Sequence, residues 1–174
     1  MNDIVGSKLA TIRIQAVLPF VRGRLLDIGC GMNKLTKAYG NGVGVDVHDW
    51  GSVDYVVESS AEIPFDDASF DTVTIIAALN HIPNREDVLT ECRRLLKADG
   101  RMIVTMITPR ISAVWHLLRR PWDADQRERG MARGEIFGFT SQLLVELARS
   151  HGFTLLERKR FMLWMNSIYV FQKT

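Results

Sequence analysis

Residues 24–46, RLLDIGCGMNKLTKAYGNGVGVD, decide the fold. Arg24 to Ile28 is a short apolar run of strand type, and Gly29 and Gly31 break it. Residues from about Asn33 to Tyr39 have helical spacing, and Gly42 to Asp46 forms a second strand. Strand, glycine loop, helix and strand in this order predict a βαβ unit with parallel strands. The two glycines sit where a strand must turn sharply into a helix, and they let a ligand approach the backbone with no Cβ in the way. Asp46 ends the second strand 19 residues after Asp27. A dinucleotide fold places there the acid that accepts hydrogen bonds from ribose hydroxyls. Loop and acid together point to an adenosine-type ligand at the strand ends.

The alternation continues outward. Leu9, Ile12, Ala16, Val17 and Phe20 share one helical face, with Ser7 as a candidate cap and Gly23 as a stop. Tyr55 to Val57 and Phe70 to Leu79 have strand character, Arg85 to Leu96 is an amphipathic helix, and Arg101 to Ile107 is a fifth strand after the turn residues Asp99 and Gly100. Such an order predicts a parallel sheet covered on both faces. It breaks after Thr140, which caps a helix through Ser150. Two β-rich runs follow, Thr154 to Leu163 and Ser167 to Phe171, with Met165-Asn166 as the turn. A hairpin without a helix between its arms forces an antiparallel strand into the sheet.

The whole chain of 174 residues has room for one domain, and 47% apolar with 24% charged residues is ordinary globular composition. About 70% of the unfolded surface is expected to be buried at this size. A net charge of +2 announces neither nucleic acid nor membrane. The longest stretches without a charged side chain, Thr72–Asn84 and Phe161–Gln172, are shorter than the ~20 residues a transmembrane helix needs. The first 23 residues carry Asp3 early and lack a small-residue cleavage site, so they do not read as a signal peptide, and a cytoplasmic location is expected. Cys30 and Cys92 are expected to be small buried side chains, with no disulfide and no metal site.

The ligand can be narrowed by charge. A pyrophosphate site wants a third glycine at the helix start, where Asn33 stands, and Asp27 directly before the loop would repel phosphate. S-adenosylmethionine has no phosphate, and its sulfonium and amino group are cationic. An acid at the loop mouth suits it.

DIGCGMN, VGVDV, SSAEIPFDDASFDTV, AALNHIPN and ECRRLLKADGRMIV, in this order over Arg24 to Thr108, resemble the motifs of class I S-adenosylmethionine-dependent methyltransferases. They are most similar to the small-molecule branch that includes the ubiquinone and menaquinone C-methyltransferases. The resemblance implies a Rossmann-like, seven-stranded, mostly parallel α/β sheet with helices on both faces and a C-terminal antiparallel hairpin. It implies a single domain with a cofactor half over 24–108, a substrate cover over 109–138, and a closing helix and hairpin over 139–174. Asp27, Gly29, Cys30 and Gly31 would line the methionine end of the cofactor, Asp46 would hold the ribose hydroxyls, and Val47 would pack on the adenine. Ser59 stands where the family has an acid for the adenine amine, with Ser60 and Ala61 next and Glu62 as a substitute acid. Leu79 and Asn80 would flank the methionine moiety.

Methyl transfer rests largely on holding the acceptor in line, so a strong base is not obligatory. His81 is the candidate base for a hydroxyl or activated-carbon acceptor; a histidine that packs or caps the next helix is the competing reading. ALNH lacks the Asn-Pro-Pro-aromatic run of amino-group methylases, so no nucleic-acid partner is expected. The cover, 109–138, holds Ile111, Val114, Trp115 and Leu118 in a helical stripe, and the arginines from Arg110 to Arg133 outweigh its acids. Residues 109–122 could touch a membrane surface or admit an amphipathic or anionic small-molecule acceptor, or form a core stripe with a solvated basic face. A non-catalytic partner-binding scaffold and a nucleotide-binding oxidoreductase are the alternatives. Lys34 and Lys37 are read as a solvated helix face, Asp66 and Asp67 as a surface turn, and Trp164 and Met165 as packing residues. Acceptor and oligomeric state carry no motif.

Overall fold

The protein is described as a computed structural model over residues 4–107 and 139–174. Its elements are α1 (Ile4–Val17), β1 (Leu25–Ile28), α2 (Lys34–Tyr39), β2 (Gly42–Asp46), β3 (Tyr55–Val56), β4 (Phe70–Ile76), α3 (Arg85–Leu95), β5 (Leu96–Ile107), α4 (Ser141–Ser150), β6 (Phe153–Phe161) and β7 (Asn166–Lys173), with short 3-10 turns at Leu18–Phe20 and Leu79–His81. The expected seven-stranded sheet is present in the order β3-β2-β1-β4-β5-β7-β6. β1 is parallel to β2 and β4, β2 to β3 and β4 to β5, while β7 runs antiparallel between β5 and β6. The chain runs outward through β2 and β3 and then returns to place β4 against β1. Such a reversal opens a crevice at the carboxyl ends of the two central strands.

Strand periodicity divides the core. Leu26 and Ile28 of β1, Met102, Val104 and Met106 of β5, and Tyr169 and Phe171 of β7 join Val88, Leu89, Cys92 and Leu95 of α3 and Leu144 and Ala148 of α4 in one cluster. The alternate residues Leu25, Ile103, Ile168 and Val170 join Val17 of α1 and Leu35 of α2 in the other. Alternation of side chains along a strand sends neighbours to opposite faces, so both faces are covered. Asp27 has the parity of Leu25 and lies on the α1–α2 side.

Element boundaries differ from expectation in four places. α1 begins at Ile4, so Ser7 lies inside the helix and does not cap it. β4 ends at Ile76, where Ala77 takes a left-handed φ of 52° and its N–H is accepted by Thr105 Oγ1 at 3.0 Å. β5 begins at Leu96 and not at Arg101; Phe70 pairs with Leu96 but Thr72 with Arg101, so residues 97–100 bulge out of the ladder. Gly100 is needed in that bulge, since a Cβ would lie 2.8 Å from Leu96 Cδ2. The hairpin connection is Met162–Met165, one step earlier than the expected turn. Thr140 caps α4 as expected, its Oγ1 accepting from Leu143 N at 3.2 Å. The expected cover, 109–138, lies outside the described residues, and with it the membrane contact assigned to 109–122.

Candidate active site

The loop between β1 and α2 is shaped by three left-handed residues, Gly29 (φ 70°), Gly31 (φ 52°) and Asn33 (φ 53°). Gly29 N and Cys30 N both donate to Val45 O, at 2.9 and 3.1 Å, so the loop folds onto the end of β2. A Cβ on Gly29 would meet Ala78 Cβ at 2.8 Å, whereas one on Gly31 would meet nothing within 4 Å. Gly29 is therefore a packing requirement, and Gly31 leaves its space to the cleft.

Asn33 is buried and carries more than a tolerated φ. Its Nδ2 donates to Ser52 O at 3.0 Å and Asp54 Oδ2 at 2.8 Å, and its Oδ1 accepts from Thr36 Oγ1. Asp54 Oδ2 also accepts from Gly44 N at 2.7 Å. The side chain thus joins the glycine loop, α2 and the β2–β3 connection, and a Cβ on Gly44 would collide with it.

Two carboxylates approach the cleft from neighbouring strand ends. Asp27, 3% exposed, accepts from Thr74 Oγ1 at 2.6 Å. Burial pushes its carboxyl up to about 7, opposed by the Thr74 hydrogen bond and assisted by the nearby charge of Asp46. Asp46 accepts from Gly31 N through Oδ2 at 2.9 Å and from His48 N through Oδ1 at 3.1 Å. Two backbone donors hold it, and each oxygen keeps a further lone pair for a ligand. The Cys30 thiol, next to these acids, is pushed up to about 12, first by burial and then by Asp27, Asp46 and Asp54. A thiol so placed stays protonated and is no nucleophile.

The cleft beside them has a volume of about 410 Å³ and is lined by Asp27, Gly29, Cys30, Gly31, Ile76 and, from α1, Ala10, Arg13 and Ile14; Asp46 stands behind that lining, joined to it through the Gly31 N–H. Small-molecule sites typically measure ~300–1,000 Å³. Lys34, expected on a solvated face, lines the cleft, while Lys37 is exposed. Arg13 was not singled out by the sequence, where it is one charge in an amphipathic helix. Its Nε is buried without a hydrogen-bond partner among the described residues, and burial lowers its pKa. Arg13 is half-buried, and its enclosed Nε leaves a donor at the cleft that an anionic group could take up.

The remaining expected residues divide. Val47 is 51% exposed, an apolar surface just past the end of β2, and Ser60 is buried. Ser59 Oγ accepts from Ala61 N at 3.2 Å, Ala61 packs on the core, and Glu62 is exposed. Asn80 is half-buried in the turn after β4. Leu79 departs from expectation: it is wholly buried in the core, because β4 stops three residues before it and the turn directs it inward. His81 ends that turn and is exposed, outside the described lining of the cleft. The loop before β4 is anchored by Glu91 of α3, which accepts from Ile63 N and pairs with Arg94, both at 2.8 Å; Arg94 Nη1 reaches Asp67 at 2.6 Å. Asp67 is thus part of a clasp rather than a plain surface turn.

Comparison with known proteins agrees with this geometry. Residues 26–104 match the family model described as a methyltransferase domain. The ubiquinone/menaquinone biosynthesis C-methyltransferase UbiE of Burkholderia mallei is 30% identical over 149 residues, which cover 71% of this chain and 59% of that protein. The chain spans little more than half the length of the curated relatives it matches. The Burkholderia thailandensis 1,6-didemethyltoxoflavin-N1-methyltransferase, solved with 1,6-didemethyltoxoflavin and S-adenosylhomocysteine, superposes with a TM-score of 0.71 at 20% identity, over 99% of this chain and 81% of that one. An S-adenosylmethionine-dependent methyltransferase from Mesorhizobium loti gives 0.69 at 15% identity, over 92% and 95%. Residues 26–104 are therefore similar to a methyltransferase domain, and the chain has the fold of the solved S-adenosylmethionine-dependent methyltransferases on which it superposes.

Proposed function

We propose that the protein binds S-adenosylmethionine in the cleft at the ends of β1, β2 and β4 and transfers its methyl group to a small-molecule acceptor. The observation that supports this reading is the pair of acids beside the glycine loop: Asp46, fixed by two backbone N–H groups, and Asp27, buried against Thr74 Oγ1. The residues fit the cofactor's charges. Asp27 faces its cations, Asp46 its ribose hydroxyls, and Arg13 supplies a half-buried partner for its carboxylate. Val47 offers an exposed apolar face to the adenine.

The bound cofactor supplies an electrophilic methyl: its carbon–sulfur bond breaks as the acceptor–carbon bond forms, and the sulfonium becomes a neutral thioether. The protein's part is to hold the two in line and exclude water. Asp27 ionises when a cation settles beside it, so binding releases a proton around neutral pH. The name of the UbiE relatives favours a carbon acceptor over an oxygen one. An activated carbon must lose a proton after methylation, and His81, exposed at the same edge of the sheet, is the nearby candidate.

Thermal shift and calorimetry with S-adenosylhomocysteine test the reading. Stabilisation by S-adenosylhomocysteine and none by NAD is expected. No heat and no stabilisation with either cofactor form would leave a non-catalytic scaffold, and stabilisation by NAD alone an oxidoreductase.

A further inference from the structure

Among the described residues, the tip of the β6–β7 hairpin carries the two most exposed large apolar side chains, and the methyl-transfer reading leaves them unused. Leu163 is 93% and Trp164 71% exposed, where the sequence suggested packing for Trp164. The connection is closed from within: Met165 N donates to Met162 O at 3.1 Å, and Asn166 Nδ2 donates to Met162 Sδ at 3.4 Å. Met162 therefore faces the hairpin, and the next two side chains are turned to solvent. Beside them, Arg158, Lys159 and Arg160 are all exposed, and from Arg158 to Asn166 there is no acid. The Arg160 guanidinium lies 5.7 Å from the centroid of the Trp164 ring.

Register fixes where this tip points. Ile107 ends β5 and pairs with Asn166, which in turn pairs with Phe161. β5 is parallel to β4, and β4 to β1. The Met162–Met165 connection therefore projects from the edge of the sheet at which Ile28 and Ile76 open the cleft.

We propose that this tip docks the protein on an anionic lipid bilayer, with the cleft edge turned toward the membrane. A Trp–Leu pair matches the interfacial layer, the indole at headgroup depth and the leucine in the acyl boundary. Guanidinium groups next to them bind lipid phosphates with paired hydrogen bonds, and an anionic leaflet attracts each cation further. The same charges argue against a second copy of the chain: β6 is an edge strand of the sheet among the described residues, and pairing two such edges along 158–160 would bring the cations of Arg158, Lys159 and Arg160 against one another. The inference goes beyond methyl transfer and does not depend on it.

Sedimentation of the full chain with vesicles tests it. Phosphatidylcholine vesicles containing phosphatidylglycerol are expected to bind the protein, vesicles of phosphatidylcholine alone are not, and added salt should release it. The double variants Leu163→Ser/Trp164→Ser and Arg158→Gln/Arg160→Gln should each weaken partition at least ~tenfold, with far-UV circular dichroism and a cooperative thermal unfolding like the parent's as the sign of an intact fold. Trp164→Phe should preserve binding yet lose the fluorescence quenching caused by brominated lipid. Equal binding to neutral vesicles, no binding, or tip variants that partition like the parent would overturn the proposal. So would a tip variant that converts a dimer to a monomer in sedimentation velocity. Loss of cofactor stabilisation in the unaltered chain would strike the methyl-transfer reading alone.

Discussion

Asp27 of β1 lines the cleft and Asp46 at the end of β2 is tied to its Gly31 wall, and the two acids are held differently. Asp46 is met by the backbone N–H groups of Gly31 and His48, whereas Asp27 is enclosed with a single hydroxyl, that of Thr74. Two backbone donors fix the orientation of the Asp46 carboxylate. A lone hydroxyl does not offset desolvation, so the Asp27 carboxyl is left near 7, ready to ionise when a cation arrives. Under the proposed function, one acid is a fixed anchor and the other responds to its ligand.

The sharpest way to break that contrast is Asp46→Ala. It removes hydrogen bonds to a charged acceptor, and the affinity for S-adenosylhomocysteine should fall ~30-fold to 1,000-fold, about 2 to 4 kcal/mol, by calorimetry. An unchanged affinity would remove Asp46 from the ribose site. Asp27→Asn tests the other half. A carboxyl raised from 3.8 to about 7 costs the fold stability as pH climbs from about 4 through 7, because the folded state must give up a proton it holds more tightly than the unfolded chain does. The asparagine variant should therefore gain ~1 to 3 kcal/mol over the parent in denaturant unfolding at pH 8 and lose the advantage at pH 4. Its cofactor affinity should drop and no longer rise between pH 6 and pH 8.

Asn33→Gly separates backbone geometry from side-chain tie. It relieves the left-handed φ but removes the side-chain bonds to Asp54, Ser52 and Thr36, leaving Asp54 Oδ2 its bond from Gly44 N and Thr36 Oγ1 its bond to the carbonyl of residue 33, so a loss of ~1 to 2 kcal/mol in unfolding free energy is expected. A gain would mean that strain outweighs the tie. The smallest effect belongs to His81→Ala: its side chain lies outside the described lining, and S-adenosylhomocysteine affinity should stay within roughly threefold of the parent.

Much of this was legible in the sequence because local rules and global fold agree there. Gly29 and Gly31 sit in a sharp strand-to-helix turn, Thr140 has the chemistry of a cap, and Asp46 has the spacing of a ribose acid. Leu79 was misread because its apolar character extends β4 in any periodicity count, while Ala77, paired to Thr105, turns the chain aside. The bulge in β5 was hidden since Asp99-Gly100 reads as a turn, and only the ladder to β4 places residues 97–100 within a strand. Arg13 was invisible for a different reason. Whether a helix arginine points at water or at a cleft depends on which face the helix lays on the sheet, and that is set by packing.

The position of β7 also governs how the chain can fold. It is made after β5 and β6 yet lies between them, joined to each along most of its length. During synthesis β5 must wait, one edge open, until more than fifty further residues have been added. Such long-range closure slows folding and leaves an edge for chaperones or for aggregation in the interval. Late pairing of β7 should thus be the step that limits recovery of the native sheet after dilution from denaturant.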